Sequence, residues 1–317
     1  MATATLEGQK RDHGGGLDDA VRRFGGTRGG WIDLSTGINP VPYAFTPPGR
    51  EAWTALPDSG AQSALCEAAR AFWNVPADAD ILAVPGASSA IAQIPRLARA
   101  ATVAIPGPTY NEHAAAFRAQ GWTVAESDGQ AQVLVHPNNP TGGYWTAKDL
   151  TAPLQIIDES FCDIAPDRSL VAQATRPDTL ILKSFGKFWG LAGLRLGFVI
   201  GAPAHLDRLA EWLGPWPVSG VALDIGRQAL SDRAWAQATR ARLSADANRL
   251  DRIMHTAGAR TDGGTPLFRL YHVDDAAAWQ TRLASHHIWS RTFPYSDHWL
   301  RLGLPDSDGW DRIEAAL

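Results

Sequence analysis

The feature that most constrains this chain is the stretch 184–197, which reads SFGKFWGLAGLRLG. It follows a short apolar run at 179–182 and leads directly into a second one, so the pattern predicts a loop between two buried strands. Lys187 lies in this loop. Ser184 supplies a hydroxyl and Arg195 a forked cation, groups that hold a phosphate, and a lysine amine forms a Schiff base with an aldehyde. A lone lysine in a loop is usually a surface residue, but this combination indicates a pyridoxal phosphate site.

Short apolar runs alternate with segments of helical periodicity through the first two thirds of the chain. This alternation predicts an α/β fold with a mostly parallel sheet covered by helices on both faces. From Pro203 the pattern changes to long helical stretches at 204–213 and 219–257, and the remainder indicates a small α+β domain. Besides the two runs beside Lys187, the predicted strands are 81–84, 102–105, 122–125, 132–135, 154–157, 267–271, 288–291 and 299–302.

We expect the chain to have three parts. An N-terminal segment, 1–45, joins the small domain, and a large cofactor-binding domain covers 46–202. The interdomain helix and the small C-terminal domain cover 203–317. The proline-rich run 40–48 marks the first boundary, because proline favours extended linkers.

Composition argues against several classes of protein. The 317 residues are 45% hydrophobic and carry a formal net charge of −4, which gives no basic surface for nucleic acid. Two cysteines, Cys66 and Cys162, are too few for a disulfide framework or a metal cluster. No apolar run approaches the ~20 residues that a membrane helix needs. We therefore expect a cytoplasmic protein with no metal, no nucleic-acid partner and no membrane segment.

Two further loops follow predicted strands and carry groups suited to a cofactor. Gly86, Ala87 and Ser88 open a helix, whose free N–H groups attract a phosphate, although helix capping alone also explains the serine. Tyr110 follows the next strand, at the edge where open α/β sheets bind ligands. A core aromatic is the equal alternative for that tyrosine.

Charged side chains follow or interrupt apolar strands at three places. Asp158 comes directly after 154–157, and a buried carboxylate is costly unless it meets a cation such as a protonated pyridine nitrogen. Arg301 lies among the apolar residues 299–302, and Arg291 ends the preceding strand. Each arginine is suited to an anion, with a structural ion pair as the alternative.

The N-terminal region carries the tetrapeptide His13-Gly14-Gly15-Gly16 before a helical pattern that starts at Leu17. A glycine-rich entry to a helix can bind an anion through backbone N–H groups, although a flexible leader has the same composition. Further along, 136–142 reads HPNNPTG. Turn geometry explains its prolines and glycine but not its two asparagines.

Together these stretches resemble the fold-type I pyridoxal-phosphate enzymes, the aspartate aminotransferase superfamily, over most of the chain. The resemblance implies the fold-type I transferase fold, with Lys187 bound to the cofactor and Asp158 on its ring nitrogen. It further implies that Tyr110 stacks on the ring, that Asn139 donates to the 3′ oxygen, and that Gly86, Ala87, Ser88, Ser184 and Arg195 hold the cofactor phosphate.

Within the superfamily, the sequence most resembles the threonine-phosphate decarboxylases, with histidinol-phosphate aminotransferases as near neighbours. The resemblance rests on His-Gly-Gly near the start, on the compact length, on Leu56 where the aminotransferases have a tyrosine that reaches across a dimer, and on Phe161 for another tyrosine. It implies that the substrate is bound by His13, Gly14, Gly15, Asn39, Asn139, Arg291 and Arg301.

The expected function is therefore decarboxylation of L-threonine O-3-phosphate to (R)-1-amino-2-propanol O-2-phosphate in cobalamin biosynthesis, by a homodimer. The residues alone indicate only pyridoxal phosphate. An aminotransferase for histidinol phosphate needs the same lysine, aspartate and arginine. A non-catalytic binding protein of this fold is a second alternative, against which the intact Lys187 and Asp158 argue.

Overall fold

The computed structural model describes residues 13–317. In that range the helices are α1 (Leu17–Phe24), α2 (Glu51–Thr54), α3 (Ser59–Trp73), α4 (Ala87–Gln93), α5 (Asn111–Ala119), α6 (Pro203–Leu213), α7 (Gly220–Ser231), α8 (Arg233–Thr256), α9 (Ala276–Ser285) and α10 (Trp310–Ala316). The strands are β1 (Ile32–Asp33), β2 (Asp80–Val84), β3 (Thr102–Ala104), β4 (Thr123–Ala125), β5 (Ala131–Val135), β6 (Leu154–Asp158), β7 (Thr179–Ser184), β8 (Gly197–Gly201), β9 (Arg260–Thr265), β10 (Phe268–His272), β11 (Ile288–Trp289), β12 (Arg291–Phe293) and β13 (Ser296–Gly303). None of the described helices has the length and apolar character needed to span a membrane.

A seven-stranded sheet in the order β2-β8-β7-β6-β5-β3-β4 organises the larger part of the chain. Strands β3 to β7 are parallel to their neighbours among themselves, and β8 is antiparallel to both β2 and β7. The predicted α/β class with a mostly parallel sheet is confirmed. Because parallel strands end at one edge, the loops after β2, β3, β5, β6 and β7 meet there.

Helices cover both faces of this sheet, which is why its strands are continuous apolar runs. In β7, Ile181 packs on the face that includes residues of α3, α7 and α8, whereas Leu180 and Leu182 pack on the face that includes α4, α5 and α6. All five residues of β6 are buried. Since each buried leucine or isoleucine contributes roughly 1.5–3 kcal/mol, the strand ends are held on a rigid base.

A four-stranded antiparallel sheet, β12-β13-β10-β9, forms the centre of the C-terminal part. The N-terminal strand β1 pairs with β11 in parallel, with Ile32 opposite Ile288. The backbone of Gly303 also donates to Leu34 O at 2.7 Å. The N-terminal segment therefore lies beside the C-terminal third, while the division at residues 45 and 202 stays a prediction.

Two predicted elements are divided in the structure. The helical stretch 219–257 consists of α7 and α8, because Asp232 ends α7 and its carboxylate caps α8 by accepting from Trp235 N at 2.9 Å. The predicted strand 288–291 is interrupted at Ser290. Its first half, β11, pairs with β1, and its second half begins β12 in the other sheet.

Sequence periodicity does not reveal β9, whose residues read RTDGGT and show no apolar alternation. Its glycines are explained by close packing on the loop after β5. Gly264 N donates to Thr141 O at 2.8 Å, and a Cβ on Gly263 would collide with the same oxygen. The four-stranded sheet is thereby attached to the edge of the larger sheet.

Candidate active site

A cavity of about 1490 Å³ lies at the carboxyl edge of the seven-stranded sheet, with part of its wall formed by the four-stranded sheet. The structure brings most of the predicted substrate-binding residues and several cofactor-binding residues to it. Those on the wall are His13, Gly14, Gly15, Ser88, Tyr110, Asn139, Lys187, Arg291 and Arg301.

The predicted phosphate-binding residues meet at the ends of β2 and β7. Ser184 and the last residue of β2 both lie opposite Gly197 in β8. The Arg195 guanidinium lies against Gly86, so that a Cβ at Gly86 would collide with it, and a Cβ at Gly197 would collide with the Ala87 nitrogen. The hydroxyl, the guanidinium and the N–H groups at the start of α4 are therefore neighbours. We call Gly86, Ala87, Ser88, Ser184 and Arg195 the phosphate cup.

Lys187 is the one lysine on the cavity wall among the described residues. Its Nζ lies 5.2 Å from the centre of the Phe161 ring. Burial and the nearby charges of Arg301 and Arg195 lower the pKa of Lys187 to about 8, although Asp158 acts in the opposite direction. The amine is therefore much closer to neutrality at pH 7 than an ordinary lysine.

Asp158 ends β6 and is only 2% exposed. His113 Nε2 lies 2.8 Å from its Oδ2, and Ser160 donates to Oδ1 from its backbone N–H at 3.0 Å and its hydroxyl at 2.5 Å. Burial alone raises the pKa of an aspartate, but the contacts with His113 and Ser160 outweigh it and hold the pKa of Asp158 below its ordinary value. The carboxylate is ionised and suited to a cation.

His113 is a site residue that sequence reasoning missed. It lies three positions after Tyr110, a spacing that places side chains on one side of a helix and is the signal that points to it. The Tyr110 and His113 rings pack edge to face with centroids 6.0 Å apart. His113 therefore supports both the tyrosine and Asp158.

The two asparagines of the loop after β5 have different functions. Asn138 is buried and its amide donates to Pro108 O at 3.0 Å and Thr141 Oγ1 at 2.9 Å, so it holds the loop in place. Asn139 lies on the cavity wall, and its Oδ1 accepts from Arg301 Nη1. The contact connects the loop after β5 to β13.

Two arginines lie side by side on the four-stranded sheet. Arg301 is 6% exposed and donates to Ser35 O at 2.5 Å. Arg291 is its direct partner in β12, and both line the cavity. Like charges opposite each other on a sheet are unfavourable, so the pair attracts an anion.

The segment 13–15 is anchored by Ser35, and this corrects one detail of the expected anion site. Gly15 N donates to Ser35 Oγ at 2.7 Å, so this N–H does not face a ligand. Gly14 packs so closely on Ser35 O that a Cβ would collide with it. The glycines thus place His13 on the cavity wall, where its Nε2 lies 2.8 Å from Glu112 Oε1.

Asn39 is not brought to the cavity, contrary to the expected substrate contact. Its side chain is 1% exposed, donates to Phe188 O at 2.8 Å and accepts from Arg242 Nη2 at 2.6 Å. Its backbone N donates to Lys187 O at 3.0 Å. Asn39 therefore supports the loop between β7 and β8 that carries Lys187, which we call the lysine loop.

A buried ion cluster lies behind the same loops. Lys183 Nζ is 2.5 Å from Glu159 Oε2 and 3.8 Å from Asp163 Oδ1, and Trp189 Nε1 donates to Asp163 at 3.0 Å. Burial lowers the pKa of a lysine, but these carboxylates raise the pKa of Lys183 above its ordinary value. The cluster joins the loop after β6 to the loop after β7.

Comparison with known proteins agrees with this fold. The sequence profile of aminotransferase class I and II matches residues 49–313, and the chain belongs to this family. The threonine-phosphate decarboxylase of Sinorhizobium sp is 41% identical, with 96% of this chain and 97% of that protein aligned. The threonine-phosphate decarboxylase of Pseudomonas aeruginosa is 39% identical over the same shares.

Among solved structures, the histidinol-phosphate aminotransferase from Sinorhizobium meliloti in complex with pyridoxal-5'-phosphate has a TM-score of 0.80 at 18% identity. The similarity covers 100% of this chain and 97% of that one. The fold-type I class is confirmed, as is the resemblance to threonine-phosphate decarboxylases.

Proposed function

We propose that this protein decarboxylates L-threonine O-3-phosphate to (R)-1-amino-2-propanol O-2-phosphate, with pyridoxal phosphate as its cofactor, in cobalamin biosynthesis. The observation that carries the proposal is 41 and 39% identity to two threonine-phosphate decarboxylases along nearly the full length of each. The cavity supports it, because a substrate with a carboxylate and a phosphate meets two arginines and a histidine there.

The residues present fit pyridoxal phosphate. The phosphate cup offers a hydroxyl, a guanidinium and backbone N–H groups, and Lys187 offers an amine of low pKa. Asp158 offers an ionised carboxylate to the ring nitrogen, Tyr110 a ring and Asn139 an amide. When bound, the cofactor supplies a sink for the electron pair left at Cα when CO₂ departs.

In this proposal, Lys187 carries the proton that is transferred to Cα. A group with a pKa of about 8 exchanges protons readily near neutral pH, because neither of its forms is scarce. Its Nζ holds the proton that replaces CO₂ on Cα. Arg301 and Arg195 favour the neutral amine, and Asp158 favours the charged one.

Two groups of residues orient the substrate. Arg301 binds the α-carboxylate, while Arg291 and His13 bind the phosphate. With the cofactor bound, decarboxylation would require the bond from Cα to the carboxylate to stand perpendicular to the cofactor ring. The phosphate contacts supply binding energy remote from Cα that holds the substrate in this orientation.

The test measures CO₂ and keto acid separately from L-threonine O-3-phosphate and from histidinol phosphate, with and without an added keto acid. We expect CO₂ from the threonine compound, independent of the keto acid, and no product from the Lys187→Ala variant. Keto acid as the chief product, or a requirement for added keto acid, contradicts the proposal and favours the aminotransferase.

We also propose that the protein is a cytoplasmic homodimer. An exposed apolar set lies on the segment that contacts the lysine loop, and such sets usually mark interfaces. The set comprises Val41 (43% exposed), Phe45 (39%), Trp53 (69%) and Leu56 (67%). We expect the protein to sediment as a dimer and the Trp53→Glu variant to dissociate. A stable dimer in that variant would place the interface elsewhere.

A further inference from the structure

A carboxylate lies on the cavity wall where the proposed substrate brings its phosphate. Glu112 is in the first turn of α5, and its side chain is 24% exposed. Its Oε1 lies 2.8 Å from Nε2 of His13, and both residues line the cavity. A carboxylate only accepts hydrogen bonds and repels an anion, so Glu112 does not itself hold a phosphate.

The pair formed by His13 and Glu112 joins two walls of the cavity. Beside His13, the backbone N–H of Gly15 donates to Ser35 Oγ at 2.7 Å, which fixes the N-terminal side. On the other side, the residue after Glu112 lies 2.8 Å from the Asp158 carboxylate. The His13 imidazole therefore lies between the N-terminal segment, which Ser35 anchors, and α5, which carries both Glu112 and His113.

The contact with Glu112 uses Nε2 of His13, and the His13 side chain is 43% exposed on the cavity wall. We propose that Glu112 is a positioning residue, which holds His13 through Nε2 so that Nδ1–H donates to the phosphate of the substrate. The inference rests on the proposed function, because it requires a phosphorylated substrate.

The experiment measures the apparent affinity of the cofactor-loaded protein for L-threonine O-3-phosphate, as the KM for CO₂ release, and for L-threonine, as a competitive inhibitor of that reaction. We expect Glu112→Ala to weaken binding of the phosphorylated compound by about tenfold, the usual scale for one hydrogen bond to a charged group, and to leave binding of L-threonine unchanged. Glu112→Gln loses less, because its amide oxygen still accepts from Nε2–H. Glu211→Ala, an exposed glutamate on α6, serves as the matched control.

A double-mutant comparison separates positioning from direct contact. In the His13→Ala background, we expect Glu112→Ala to have no further effect, since the residue acts through the imidazole. Independent, additive losses overturn the inference. So does tighter binding of the phosphorylated compound in Glu112→Ala, which would mean simple repulsion, or an equal loss for both compounds, which would mean contact with the amino acid moiety.

Failure of the proposed function has a different signature. It appears in the unmodified protein, as absent CO₂ release or as equal affinity for the phosphorylated and unphosphorylated compounds. Failure of the Glu112 inference alone appears only in the variants. In that case the wild-type protein prefers the phosphorylated compound, and Glu112→Ala retains this preference in full.

Discussion

Capture of pyridoxal phosphate by the cofactor-free protein should follow the neutral fraction of Lys187. Burial, Arg301 and Arg195 lower its pKa from 10.5 to about 8. At pH 7 a lysine of that pKa is neutral in about one molecule in ten, whereas a lysine of pKa 10.5 is neutral in about one in 3,000. We expect capture about 300-fold faster than by an ordinary lysine, rising with pH and levelling off above about 8.

The assay follows the visible absorbance of the captured cofactor after rapid mixing, from about pH 6 to about 11, a range that spans both pKa values. Lys187→Ala should lose the borohydride-reducible absorbance, and Lys148→Ala, at an exposed lysine, should retain it. Arg301→Met should raise the pH at which capture reaches half its maximal rate, the midpoint, because removal of a nearby positive charge favours the charged amine. A midpoint near 10.5 in the unmodified protein, or undiminished capture by Lys187→Ala, refutes the reasoning.

Three further predictions concern neighbouring residues. Asp158→Asn should retain the cofactor absorbance but lower kcat by about 100-fold or more, because a neutral amide does not stabilise a charged ring nitrogen; unchanged CO₂ release would remove Asp158 from the mechanism. Gly86→Ala should weaken cofactor affinity in equilibrium dialysis, since Gly86 has φ of +78° and a Cβ collides with Arg195; equal affinity would place the cofactor phosphate elsewhere. Arg291→Ala should lower kcat and raise KM for L-threonine O-3-phosphate, and steady-state kinetics that do not change would exclude it from the phosphate site.

The position of the site could be predicted from sequence because each of its loops directly follows an apolar strand. Tyr110, Asn139, Asp158 and Lys187 follow or end β3, β5, β6 and β7, and the carboxyl ends of parallel strands meet at one edge. Because those strands are buried on both faces, their sequences are continuous apolar runs, and this pattern identifies them in the sequence. Strand β9 has no such pattern, because close packing of its glycines on the loop at Thr141 determines its sequence.

The partners of individual side chains could not be predicted, since they depend on contacts between residues far apart in the chain. Asn39 faces Phe188 O across 149 positions, although its place in the sequence suggests the active-site edge. The backbone N–H of Gly15 donates to Ser35 Oγ, 20 positions away. Local composition is the same whether such a group faces a ligand or the protein.

Ser35 connects the two parts of the candidate site that we propose bind anions. Its carbonyl accepts from Arg301 Nη2 at 2.5 Å, its hydroxyl accepts from Gly15 N at 2.7 Å, and the same hydroxyl donates to Asp33 Oδ1 at 2.5 Å. Arg301, the proposed carboxylate ligand, and the segment that carries His13 are therefore held as one unit. In the proposed function, a substrate phosphate held at that segment would also set the position of the carboxylate at Arg301. For this reason, L-threonine without its phosphate should lose turnover as well as affinity, because the lost contacts served to orient the substrate.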